Sequence, residues 1–231
     1  MVHMQSIPPD VSAALTPEVA CEIAVYSDTI VFPEQILIHH PTDPDSYFPN
    51  YPHPVLVLMF ENQGVVAWGV PLGVARPPVL VGSDEVPVTE TAPDIETFIA
   101  ARRWDAACFA HGPTMIEAQA EPLPDSAKRF LDAHYHPNLT THGWPGHTNL
   151  RYESDSARIM LWLGEEQCDW FITAASIQEL EATTRSLIGL SDLATSAWSI
   201  DKEGQMILNR IRGIEVPPEK PFWAKIRGII H

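Results

Sequence analysis

The chain has 231 residues, 45% of them hydrophobic, and a formal net charge of −16 at pH 7. That is enough apolar material to bury a substantial core in one large domain or two small ones. Residues 1–100 hold thirteen acidic side chains against the single base Arg76. A field of that sign repels phosphate backbones and argues against nucleic-acid binding, and no run reaches the ~18 consecutive apolar residues of a membrane span.

Residues 1–15 read as an N-terminal extension. The start lacks a basic n-region and an apolar h-region, so no secretory signal is expected. Thr16-Pro17-Glu18 places an N-cap residue, a proline at the first helical position and an acid in the first turn, which predicts a helix through Tyr26. Ile30 to His39 reads as extended, and Pro41 to Pro54, with five prolines, as an irregular loop. The apolar run Val55 to Phe60, the break Glu61-Asn62-Gln63-Gly64 and the return to Val65, Val66 and Trp68 predict two antiparallel strands around a tight turn. A third strand is expected at Pro78 to Val81. Pro93-Asp94 then opens a helix, Ile95 to Phe109, with Ile95, Phe98, Ile99 and Ala106 on one face.

In the second half, Thr114 to Ala120 reads as a strand, Pro124 to Tyr135 as a helix and His136 to Gly146 as a loop. Thr148 to Tyr152 and Arg158 to Leu163 face each other across Glu153-Ser-Asp155, and Cys168 to Ala174 forms a further strand. Ser176 with Glu179 makes a capping box for a helix over Ile177 to Ile188. Ala197 to Ile200 and Met206 to Leu208 read as a hairpin about Asp201-Lys-Glu-Gly204. The expected class is therefore α+β, a largely antiparallel central sheet flanked by helices, over residues 16–210. A second sub-lobe from about residue 114 stays open, and 211–231 form a tail.

Candidate chemistry is sparse. His134, His136, His142 and His147 fall within fourteen residues, and imidazole is the commonest metal ligand. Without a His-Glu-x-x-His motif or a cysteine pair, ordinary loop histidines are the expected reading, with no metal or cofactor. Glu165-Glu166 fits a polar turn better than an acid/base pair, because consecutive strand residues point to opposite faces. Nucleophile-elbow, phosphate-loop and dinucleotide signatures are absent from the sequence. Cys21, Cys108 and Cys168 are odd in number and widely spaced, so buried free thiols are expected. Most of the tryptophans are expected in the core.

The strand–turn–strand unit Glu61 to Val70, the strand at Pro77 to Val81 and the helix from Asp94 with Phe98 and Trp104 together resemble the SUKH superfamily of bacterial immunity proteins. The later strands and the helix from Ser176 are similar to those of its longer members. Many members carry an Asn-Gly-Gly-type segment after the first helix, whereas Thr16 to Pro33 contains no glycine. The resemblance implies a non-enzymatic cytoplasmic protein that binds and neutralises a cognate protein toxin. The acidic excess would complement a cationic toxin such as a nuclease. Contacting carboxylates are expected among Asp84, Glu85, Glu90, Asp94 and Glu96; the plainer reading is that these acids solvate a loop and cap a helix. An acidic scaffold or regulatory module of the same fold, and a metal-dependent hydrolase built on His134 to His147, are the alternatives. The oligomeric state is open.

Overall fold

The computed structural model describes residues 7–25, 28–83, 86–144 and 146–214. Two short helices, α1 (Pro9–Ala14) and α2 (Pro17–Ile23), precede a first set of strands. These are β1 (Thr29–Ile30), β2 (Ile38–His39), β3 (Val55–Phe60), β4 (Ala67–Pro71), β5 (Val79–Gly82) and β6 (Thr89–Ala92). The long helix α3 (Ile95–Phe109) then leads into β7 (Met115–Ala120), α4 (Asp125–His134), β8 (His136–Pro137), β9 (Thr141–Trp144), β10 (His147–Glu153), β11 (Ala157–Leu163) and β12 (Cys168–Ala174). The last elements are α5 (Ile177–Leu187), α6 (Leu193–Ser196), β13 (Ala197–Trp198) and α7 (Lys202–Ile211).

The first sheet has the order β1-β3-β4-β5-β6, with β2 also on β3. The second runs β13-β7-β12-β11-β10-β8, with β9 also on β10. Every pairing is antiparallel. The α+β class is as expected, and the strands divide between two sheets.

One face of the first sheet, with Leu56, Leu58, Trp68, Val70 and Val81, packs on Val11, Leu15, Ile23, Phe98 and Ile99 of the helical layer. The other, with Val55, Val57 and Leu80, lies under Phe48, Tyr47 and Tyr51 of the proline-rich loop. Burial on both faces explains why β3 is an unbroken apolar run rather than an alternating one. At the β3–β4 turn Gly64 has φ 71°, a left-handed conformation that glycine adopts without a Cβ penalty, and the Tyr47 hydroxyl donates to its carbonyl.

In the second sheet, Ile116, Ile159, Leu161, Trp170 and Ile172 pack on Leu131, Leu180, Leu187, Ile207 and Leu208 of the helices α4, α5 and α7. The opposite face carries Met160 and Phe171 against Trp104 and Cys108 of α3. Helix α3 therefore lies between the sheets, its first half on one and its second half on the other. That is why its apolar residues do not stay on the single expected face.

Several expectations are corrected. Residues 202–211 are helical, and the expected C-terminal hairpin is absent: Asp201 accepts from the Gly204 amide at 2.8 Å, and Gly204, Ile207, Leu208 and Ile211 recur at helical spacing. Strands β8 and β9 form within the expected His136 to Gly146 loop, and β6 was not anticipated. The segment from Ile30 to His39 is strand only at its ends, and α2 stops at Ile23 rather than Tyr26. Helix α1 lies in the segment read as an extension, yet Val11 and Leu15 are part of the core. Cys21 is exposed rather than buried. The tail from 215 lies outside the described residues. Among those described, no helix is long and apolar enough to cross a membrane.

Candidate functional site

The expected partner-binding acids do not form one cluster of equivalent groups. Asp84 and Glu85 lie outside the described residues. Glu90 is exposed on β6 and Glu96 is exposed on the first turn of α3. Asp94 is the N-cap of α3: its Oδ1 accepts from the Thr97 amide at 2.7 Å, and that bond holds its carboxyl below the usual range. Its place in the fold is structural, since removing an N-cap costs about 1 kcal/mol.

The four histidines occupy separate places in the second half of the chain. His134 ends α4, with Nδ1 2.8 Å from the Phe130 carbonyl and its ring stacked on Phe130. His136 lies in β8. His142 in β9 has Nδ1 3.1 Å from the Thr148 hydroxyl, and His147 begins β10. Among the described residues no group of three or more His, Cys, Asp or Glu side chains could hold a metal ion.

The most organised polar site is a cleft between the two sheets, with α3 as its wall. Phe98, Ala101, Arg102, Asp105 and Phe109 line it from the helix, at spacings of three and four residues that keep them on one stripe. Facing them are Trp68 and Thr91 of the first sheet, and Thr141, Gly143, Asn149, Arg151, Met160 and Trp162 of the second. Residues 149 and 151, like 160 and 162, differ by two, so each pair shares one face of its strand.

Arg151 and Asp105 form a buried bidentate pair. Nε donates to Oδ1 at 2.6 Å and Nη2 to Oδ2 at 2.9 Å, with side-chain exposures of 1% and 5%. Nη1 donates to the Leu139 carbonyl at 2.9 Å and the Thr141 hydroxyl at 3.0 Å. The guanidinium is thus bonded through all three nitrogens, as a buried charge requires. At the opposite wall the Trp68 indole donates to the Gly143 carbonyl at 3.1 Å, joining β4 to β9. Arg102 sits 5.1 Å from the Trp68 ring centre and also pairs with Asp28. Burial raises the Asp28 carboxyl, and Arg102 partly offsets that shift.

Beside these closed contacts one acceptor is open. The Oδ1 of Asn149, a residue only 4% exposed, has no hydrogen-bond partner. A Cβ on Gly143 would come 2.5 Å from the Asn149 Nδ2, so glycine at 143 is what lets that amide sit against β9. The neighbouring Cys108 thiol is pushed up to about 12 by burial, which keeps it protonated and unreactive at neutral pH. The chain matches no protein-family model, no curated protein and no solved structure.

Proposed function

We propose that the chain is an immunity protein: a non-enzymatic, cytoplasmic binder of a cognate basic toxin. The carrying observation is the uncompensated acidic surface around the first sheet. Asp10, Glu18, Glu34, Asp43, Glu90 and Glu96 are exposed, and among the described residues only Glu22 and Asp28 of the first hundred pair with a basic side chain. Unpaired surface charge of one sign contributes little to folding but steers an oppositely charged protein. The resemblance to the SUKH superfamily in Glu61 to Val70 and Pro77 to Val81 supports the same reading. Asp84, Glu85, Glu90 and Glu96 are the proposed contacts; Asp94 belongs with them by position, although its cap bond occupies it.

The test is to identify the product of the gene next to this one and, where it carries a toxin domain, to co-express the two. The proposal expects rescue of growth and a complex whose association slows steeply with added salt. Reversing Glu90 and Glu96 to lysine should slow association several-fold at low ionic strength and leave the melting temperature unchanged. A neighbouring toxin that is neither bound nor neutralised would overturn the proposal, as would association rates indifferent to salt.

A further inference from the structure

The cleft beside Asn149 holds a cavity of about 90 Å³, room for about three waters, the scale of one small ring. Three features of its lining restrict what can fill it. First, its walls are flat and apolar: Trp68, Phe98, Phe109, Met160 and Trp162. Second, its buried ion pair is closed, because every oxygen of Asp105 and every nitrogen of Arg151 is already bonded within the protein. Among the described residues of its wall, Asn149 Oδ1 is a buried acceptor without a hydrogen-bond partner. An occupant must therefore bring a donor, since an unmatched buried acceptor costs free energy that a single N–H recovers. Third, Asp28, Asp105 and Glu61 outnumber Arg102 and Arg151 around the cavity, so an anion is disfavoured.

We infer that this cavity is a binding site for a small, flat, neutral nitrogen heterocycle whose N–H donates to Asn149 Oδ1 while its ring lies among Trp68, Phe98 and Trp162. The site is independent of the proposed toxin contacts Glu90 and Glu96, which are exposed and do not line it. Because its walls come from both sheets and from α3, an occupant would brace the two halves against each other.

Pyrazole is the probe, titrated into the full chain and followed through the Trp68 indole N–H resonance, assigned with Trp68→Phe. A saturable shift at millimolar pyrazole is expected. Binding of 1-methylpyrazole, which has the ring but no N–H, should be about tenfold weaker, the loss expected for one hydrogen bond. Pyrazole-4-carboxylate should not bind. Asn149→Leu should bind pyrazole and 1-methylpyrazole equally weakly. Ala101→Leu, a substitution favourable to the helix, fills the cavity from α3 and should abolish binding with circular dichroism unchanged, so the test survives if the asparagine variant fails to fold. No saturable shift, equal affinity for the two pyrazoles in the wild type, or binding that persists in Ala101→Leu would each overturn the site and leave a cavity that holds only water.

Discussion

Around the second sheet, charge is spent on joining elements. Arg151 on β10 holds Asp105 on α3, Arg185 on α5 and Arg210 on α7 share Glu181, and Asp132 of α4, paired with Lys128, accepts from the Tyr152 hydroxyl of β10. Around the first sheet, by contrast, the cohesion is mainly apolar, with strands buried on both faces; Asp28 and Glu22 pair with Arg102 and Arg103 of α3, and most of the other described acids face water without a cation. The difference separates two uses of the same residue types. A carboxylate with a fixed partner contributes to architecture, whereas an unpartnered surface carboxylate contributes to the long-range field, and to the solubility and partner choice that follow from it.

Breaking that contrast is most direct at Arg151. Arg151→Met strands a buried carboxylate at Asp105 and should destabilise the chain by about 3–5 kcal/mol, read as a lower urea midpoint. Arg151→Met with Asp105→Leu should recover most of the loss, because an apolar pair of similar volume leaves no charge unpaired. On the first-sheet side, Glu90→Lys with Glu96→Lys should stay within about 0.5 kcal/mol of wild type. Equal costs in the two regions would dissolve the distinction.

Much of this architecture was legible in local patterns. The Thr16, Asp94 and Ser176 caps are read from residue types at fixed offsets, and the β3–β4 hairpin from an apolar run broken at Gly64. What escaped was set by tertiary contact. In β10, Leu150 and Tyr152 alternate with Asn149 and Arg151, which on its own reads as a strand with one face in solvent. Helix α3 covers that polar face, and nothing in the spacing announces it. The cleft was missed for the same reason, its lining coming from α3 and strands of both sheets. At Asp201-Lys-Glu-Gly204 the turn chemistry of a hairpin and the N-cap of a helix coincide, and the helical spacing of Ile207, Leu208 and Ile211 decides between them.

A smaller effect sharpens the comparison at the junction of the two sheets. Trp68→Phe keeps a ring in the core but removes the indole N–H that bonds the Gly143 carbonyl, and weakens the stacking of Arg102. A cost of about 1–2 kcal/mol is expected, together with faster amide exchange in β9 than in β12, which does not depend on that bond. Uniform acceleration across the second sheet would mean that the tryptophan stabilises the whole chain rather than the junction.

The smallest predicted effect concerns an acid that departs from the pattern of its own half. Glu117 lies on β7 opposite Phe171 of β12 and Trp198 of β13, and among the described residues no basic side chain pairs with it. Burial alone raises its carboxyl above the ordinary 4.5, so the folded chain holds this proton more tightly than the unfolded chain does. Below the ordinary value both states are protonated and the penalty vanishes. As pH rises from there through the folded value, the unfolded state ionises more readily and stability falls. Glu117→Gln removes the titration, so the variant should melt higher than wild type at neutral pH by about one or two degrees, the group being half exposed and screened. Paired melts from about pH 4 to pH 8 should show this advantage shrinking to nothing at the acid end. An advantage that persists unchanged at low pH would trace to packing against Trp198 and Phe171 instead, and Glu117 would then be an ordinary surface acid like those around the first sheet.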